Sequence, residues 1–188
     1  MMQWAKGFIS NGSFLSMLKP KDAVYIAIGL LGASLTFLGL FLPQPYAQVS
    51  FVAGSSVLLI TALYFKLIYF IALEMIVISG HGAILFDIGL KLQIALPILL
   101  SLQLLFFYYM SGQITNLFIL IGIAGIAFMS VGFAYQSPII FFLGSLTVAT
   151  YSIYEAKKNP PAWIWGGLNI LFSLVTLYRL VLTWSNLF

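Results

Sequence analysis

The sequence predicts an all-α membrane protein with seven transmembrane helices, arranged as two parallel three-helix bundles joined by a linker helix. Composition, the lengths of the apolar segments and an internal repeat predict this fold class. The 188 residues are 62% hydrophobic and 6% charged, with a mean hydropathy of +1.10. A soluble domain of this size needs far more surface charge, so a lipid bilayer must surround most of the chain.

The apolar segments give the number of spans, because one spanning helix needs roughly 17–25 mostly apolar residues. The stretch 47–86 is too long for one helix and contains Lys66, Glu74 and His81. A single helix would put Lys66 near the bilayer centre, at a cost of about 2.5–3.5 kcal/mol. We therefore predict two helices there, although the turn at Lys66 contains neither glycine nor proline. The predicted spans are 23–42, 47–65, 67–86, 92–110, 115–134, 138–154 and 162–184.

Seven spans gather most of the basic residues on one side of the membrane. Lys91 and Arg179 alone fall on the other side. The positive-inside rule then predicts a cytoplasmic amino terminus and an external carboxyl terminus, in what we take to be a bacterial cytoplasmic (inner) membrane. Residues 1–22 combine apolar side chains with lysines and are predicted to form an interfacial segment, without a signal-peptide pattern.

An internal repeat divides the chain into parts. Gly54-Ser55, followed by Tyr64, recurs 90 residues later as Gly144-Ser145, followed by Tyr154. Copies that run in the same direction must start on the same side of the membrane, so an even number of helices separates their starts. This predicts a first three-helix bundle over 23–86, a linker helix within 87–114 and a second three-helix bundle over 115–188.

The repeat also carries a family resemblance. The stretch from Gly144 to Tyr154, then Asn159-Pro160-Pro161, then the segment from Trp165 to Asn169, resembles the second and third helices of SWEET and SemiSWEET sugar transporters. Pro43-Gln44 resembles the PQ turn of the same PQ-loop superfamily. The Trp-x-x-x-Asn spacing is also similar to a pattern in the PnuC vitamin transporters, which share the three-one-three arrangement. The resemblance implies transport of a small neutral solute and a substrate-contacting role for Asn169.

The last span has a polar face that could bind such a solute. At 100° per residue, Trp165, Asn169 and Ser173 lie on one side of the helix. An amide both donates and accepts hydrogen bonds, and an indole can stack on a ring face. We predict these three residues to be substrate-binding. The alternative is that Asn169 joins two helices and Trp165 belongs to the aromatic belt.

Glu74 is the acidic residue placed well inside a predicted span. Glu74 lies ten residues after Tyr64, and Asn169 lies fifteen residues after Tyr154. If the loop of the first bundle is five residues shorter, Glu74 and Asn169 occupy equivalent positions in the two bundles. We predict that they face each other across a central site, where Glu74 binds substrate or relays a proton. The alternative is a structural hydrogen bond or a pair with Lys66.

Three further residues have candidate roles, each with an alternative. His81 lies two turns from Glu74 and could take part in a proton relay or in pH sensing, but a solvated histidine at a helix end is the simpler interpretation. Tyr64 and Tyr154 are candidate gate residues, or else interfacial anchors.

Together these features predict a transporter of a small polar solute, such as a sugar or a nucleoside-like vitamin. A non-catalytic scaffold or accessory subunit is the alternative. An enzyme is not expected, since no nucleophile–base pair is recognisable. With one histidine, four acidic residues and no cysteine, neither a metal site nor another cofactor is expected. The partners expected are the lipid bilayer and the solute. Self-association into a homo-oligomer stays open, and no basic, aromatic-rich run indicates nucleic acid.

Overall fold

The computed structural model describes residues 19–114 and 116–185, and this part of the chain contains seven helices long and apolar enough to cross a membrane. The split of 47–86 into two helices is confirmed. Of the predicted interfacial segment, 1–18 lie outside the described residues, and Pro20 already begins the first helix. The helices are α1 (Pro20–Gly39), α2 (Tyr46–Tyr64), α3 (Ile68–Leu85), α4 (Leu90–Met110), α5 (Leu117–Ala134), α6 (Pro138–Ala156) and α7 (Trp163–Ser185), with a short 3₁₀ turn at Pro160–Ala162.

The sharp turn between α2 and α3 is made by Lys66 itself. Lys66 adopts the left-handed conformation, with φ of 55°. Its N–H donates to Leu63 O at 3.2 Å, and the N–H of Leu67 donates to Ala62 O at 3.0 Å. These two bonds form a Schellman motif, which satisfies carbonyls at a helix end without requiring glycine. The same pair of bonds closes α3, α4 and α5, with Asp87, Gly112 and Gln136 in the left-handed position.

The odd-numbered helices run in one direction through the molecule. Tyr69 near the start of α3 donates to Gly122 O near the start of α5, and His81 near the end of α3 packs on Phe133 near the end of α5. In the same way, α7 follows α1, since Arg179 donates to Leu40 O just after α1 ends. The end of the molecule where α1 begins, here called the lysine-rich end, carries Lys19, Lys21, Lys66, Lys157 and Lys158, while Lys91 and Arg179 lie toward the opposite end.

Six helices close into a ring, in which contacts run α1–α2–α3–α5–α6–α7 and back to α1. The remaining helix, α4, packs against α3 and α5 from outside the ring. Gly80 of α3 lies against Pro97 of α4, where a Cβ on Gly80 would be 3.4 Å from the proline ring.

Close packing of α1 on α2 recurs in α5 on α6. A Cβ on Gly32 would lie 2.9 Å from Gly54 O and from Leu58 N. A Cβ on Gly125, 93 residues after Gly32, would lie 2.9 Å from Val148 N, and Val148 is 90 residues after Leu58. Both helix pairs therefore need a glycine where the backbones meet. The same correspondence relates Gly29–Thr61 to Gly122–Tyr151, and Gly39–Phe51 to Gly132–Phe141.

The third helices also make corresponding contacts. Ile164 of α7 packs on Gly29 of α1, and Tyr69 of α3 packs on Gly122 of α5. Ile164 follows Tyr69 by 95 residues, which is also the separation of Glu74 and Asn169. The equivalence inferred from loop lengths therefore agrees with the packing of these two helices.

Candidate functional site

A buried carboxyl group joins α3 to α7. Glu74 is 3% exposed, and its Oε1 accepts a hydrogen bond of 2.6 Å from Nε1 of Trp165, which is fully buried. The Trp165 ring also stacks on Phe70, with 4.5 Å between the ring centroids. Phe70 and Trp165 are themselves 95 residues apart. A carboxyl at this depth needs such a donor, because neither lipid nor apolar side chains can replace water.

Two unsatisfied polar atoms lie beside Glu74. Nδ2 of Asn169 donates to Trp165 O at 2.9 Å, but Oδ1 has no hydrogen-bond partner among the described residues. The hydroxyl of Ser55 lies next to the Glu74 carboxyl, yet it too lacks a bond of good geometry. With Phe51 and Phe172 they line a small closed cavity of about 20 Å³. That volume holds about one water and no sugar or nucleoside.

Three of the four predicted substrate-binding residues thus lie together, and the fourth does not reach the cavity. Glu74, Trp165 and Asn169 line it, whereas Ser173 makes a 2.9 Å hydrogen bond with Ser145 of α6. Ser173 therefore packs α7 against α6 here. The predicted alternative of a Glu74–Lys66 pair is not what the structure shows, because Glu74 bonds to Trp165.

A larger polar pocket opens at the lysine-rich end. This vestibule has a volume of about 330 Å³ and lies among α3, α4, α5 and α6. Its inner wall contains Tyr69, Phe70 and Tyr151, and the rings of Tyr69 and Tyr151 are 4.0 Å apart. Since Phe70 also stacks on Trp165, one aromatic layer separates the vestibule from the Glu74 cavity. The polar lining of the vestibule includes Lys66, Tyr108, Gln113, Tyr154, Glu155 and Lys158.

The vestibule and its aromatic inner wall were not predicted from the sequence. Tyrosines within apolar spans are typical of a packed core or an interfacial belt, so residue type alone gave no reason to select Tyr69, Tyr108 or Tyr151. The separation of 95 residues that relates Glu74 to Asn169 also relates Phe70 to Trp165. That spacing was a signal that could have found Phe70.

His81 lies beyond the Glu74 cavity, toward the opposite end, and is buried. It is 2% exposed, its Nδ1 is hydrogen-bonded to Gln48 Oε1, and its ring lies between Phe51 and Phe133. The interpretation of His81 as a solvated helix-end histidine is therefore wrong, because the last turns of α3 pack against α2 and α5. Its Nε2 and the hydroxyl of Ser130, both without partners among the described residues, line a second small cavity of about 10 Å³.

The two repeat-related tyrosines occupy different settings. Tyr64 stacks on Tyr25, with 3.7 Å between centroids, and donates to Oδ1 of Asp22 at 2.8 Å. Tyr154 stacks on Phe118 of α5 at 4.4 Å and borders the vestibule. Tyr64 therefore packs α2 against α1, and Tyr154 packs α6 against α5. Only Tyr154 is among the residues that line the vestibule.

Within residues 19–114 and 116–185, no three histidine, aspartate or glutamate side chains are grouped as a metal ion would need. Comparison with protein-family models, with characterised proteins and with solved structures finds no match to this chain.

Proposed function

We propose that this protein transports a small polar solute by alternating access between two three-helix bundles, α1–α3 and α5–α7, which α4 joins. The observation that carries the proposal is the hydrogen bond between Glu74 and Trp165 beside the unpaired Oδ1 of Asn169. Ionisable side chains inside a membrane usually face a pathway for a solute or a proton. Here the carboxyl lies between the two halves of the ring of helices.

The repeated packing contacts support two bundles of the same design. Glycines 93 residues apart fit against α2 and α6, and the third helices contribute residues 95 residues apart. Transporters built from repeats commonly bind their solute near the membrane midplane, where the repeats meet. The proposed solute site, made of Glu74, Trp165 and Asn169, lies at such a junction.

The vestibule is the proposed entrance from the cytoplasm. Its volume of about 330 Å³ is within the usual range for small-molecule pockets of roughly 300–1,000 Å³. Tyrosine hydroxyls and the amide of Gln113 suit a solute with several hydroxyl or amide groups. The five lysines at this end favour its placement on the cytoplasmic side.

The Glu74 cavity has room for about one water, so the solute enters only when the bundles separate. Separation would break the bond from Trp165 Nε1 to Glu74, and a solute hydroxyl would replace the indole as donor to the carboxylate. Oδ1 of Asn169 and Oγ of Ser55, which lack partners in the closed cavity, would then gain them. The carboxylate therefore has a hydrogen-bond donor both before and after the bundles separate.

A non-catalytic scaffold is the second candidate, and the small size of the central cavity favours it. In that function the Glu74–Trp165 bond would only hold α3 against α7. The two candidates differ in what the site binds, because a scaffold has no reason to recognise a small solute.

Uptake into proteoliposomes tests transport. We expect uptake or thermal stabilisation by at least one of three probes, namely glucose, uridine and nicotinamide riboside. For that probe, Glu74→Gln and Asn169→Ala should each reduce uptake roughly tenfold or more while the protein stays folded. Glu74→Gln removes the negative charge that strengthens a hydrogen bond from a solute hydroxyl, and Asn169→Ala removes the unpaired Oδ1. Ser34→Ala is the matched control, because within residues 19–114 and 116–185 the Ser34 hydroxyl bonds only to Leu30 O of its own helix.

Wild-type uptake in both variants would reject this site. No uptake and no stabilisation with any of the three probes would favour the scaffold.

A further inference from the structure

The side of α4 that faces away from the ring carries a polar side chain in an apolar setting. Only 17% of the α4 span is buried, against 22% for α1 and 39–44% for the other five helices. Gln103 is exposed on this helix. At a rise of 1.5 Å per residue it lies about 10 Å from the α4 end at Met110, and therefore within the hydrocarbon layer.

The amide of Gln103 has no hydrogen-bond partner in the described part of the chain. Two serines on outward-facing parts of the helices, in contrast, are satisfied locally. Ser34 and Ser79 each donate to the carbonyl four residues earlier in the same helix. An amide with unpaired donors and acceptor is costly in hydrocarbon, so lipid is a poor neighbour for Gln103.

Gln103 also lies within a regular apolar seam. Successive exposed residues on this face of α4 are separated alternately by four and three positions, which is the heptad spacing of a helix that packs along another helix. A single polar residue in such a seam sets the register and the number of strands. The seam consists of Leu92, Leu96, Leu99, Gln103, Phe106 and Met110.

We propose that two copies of this protein form a parallel dimer through the α4 seam, in which the Gln103 amides bond to each other. A second copy fits because an amide both donates and accepts hydrogen bonds. Across a two-fold axis, the Gln103 amide of each copy can donate to the Gln103 carbonyl oxygen of the other. The distribution of lysines orients every copy in the same way, so the two α4 helices run parallel and identical seam positions meet. The ring of six helices stays free to move, because α4 lies outside it. The inference does not depend on transport.

Disulfide formation tests the seam directly, because the chain has no cysteine of its own. Leu99→Cys and Phe106→Cys should each give a cross-linked dimer on mild oxidation in liposomes at high lipid dilution. Leu174→Cys on α7 and Tyr109→Cys on another face of α4 are the controls, and both should stay monomeric. Leu174 is closely matched to Leu99 in exposure, since Leu99 is 58% and Leu174 is 57% exposed. Absence of cross-links at the seam, or equal cross-linking of the controls, would overturn the proposal.

The amide itself is tested with Gln103→Leu. We expect this variant to raise the dimer dissociation constant in liposomes roughly 3- to 30-fold, measured by energy transfer between labelled copies. Gln103→Asn, which keeps an amide, should weaken the dimer less. Unchanged or tighter association of Gln103→Leu would reject the role of the amide, and a purified protein that stays monomeric would show that lipid or another subunit covers this face.

Discussion

The carboxyl group of Glu74 accepts its hydrogen bond from the indole N–H of Trp165. A substitution of Trp165 should therefore affect the stability of this buried carboxyl group most directly. Ring stacking on Phe70 and the hydrogen bond to Glu74 come from the same indole. A phenyl ring keeps most of the stacking surface but has no donor. The two contributions can therefore be separated by substitution.

Trp165→Phe should lower the free energy of unfolding by about 1–3 kcal/mol, because it leaves a buried carboxyl without its donor. Thermal unfolding followed by circular dichroism in detergent would measure the loss. Trp163→Phe is the matched control, since Trp163 is 52% exposed and surface substitutions usually change stability by about 0.5 kcal/mol or less.

A double-mutant cycle with Glu74→Leu would complete this measurement. If the hydrogen bond accounts for the loss, Trp165→Phe should cost less when Glu74 is already leucine. Equal costs in both backgrounds would mean that lost packing, and not the bond, explains the result.

Among the connecting elements, the Schellman turns show how a chain with few turn glycines can reverse direction. Four helices end with a left-handed residue, and in three of them that residue has a side chain: Lys66, Asp87 and Gln136. Left-handed backbone costs a residue with a Cβ roughly 1–2 kcal/mol. Two hydrogen bonds at each turn, and the packing of the flanking helices, must offset that cost.

Lys66→Gly should therefore stabilise the protein by about 0.5–1 kcal/mol, because glycine adopts the left-handed conformation without strain but loses more chain entropy on folding. Lys157→Gly is the matched control. Lys157 closes α6 in a right-handed conformation, with φ of −65°, so glycine there should be neutral or destabilising. Equal effects of the two substitutions on the unfolding midpoint would contradict this account of the turn.

The helices and turns also show how much of the fold and of the candidate site could be predicted from the sequence. Apolar length and the cost of burying Lys66 were sufficient for the number of helices and for the break between α2 and α3. The equivalence of Glu74 and Asn169, predicted from loop lengths, stays a prediction, although Tyr69 and Ile164 make corresponding contacts at the same separation. The burial of His81 could not be predicted, because its surroundings come from Gln48 and Phe133, which lie on other helices. The missing information was which helix packs against which.

At the scale of the whole molecule, α1, α3, α5 and α7 run in the same direction. This common direction fixes toward which end of the molecule each cavity lies. The lysine-rich end carries the vestibule, and the second small cavity at His81 lies toward the opposite end. Glu74 lies between them on the same helix as His81. Val77 of α3 lines both small cavities, so the pathway proposed above would follow α3.

Sidedness can be measured with single cysteines at neutral, exposed positions. Phe86→Cys and Tyr135→Cys lie just after α3 and α5, away from the lysine-rich end, and Ser111→Cys follows α4 at that end. With a cytoplasmic vestibule, a membrane-impermeant maleimide should label the first two in intact spheroplasts and label Ser111→Cys only after permeabilisation. The cysteine-free parent protein controls for background labelling. The reverse pattern would place the vestibule outside, and labelling of all three from one side would contradict the seven-span arrangement, because α4 would then not cross the membrane.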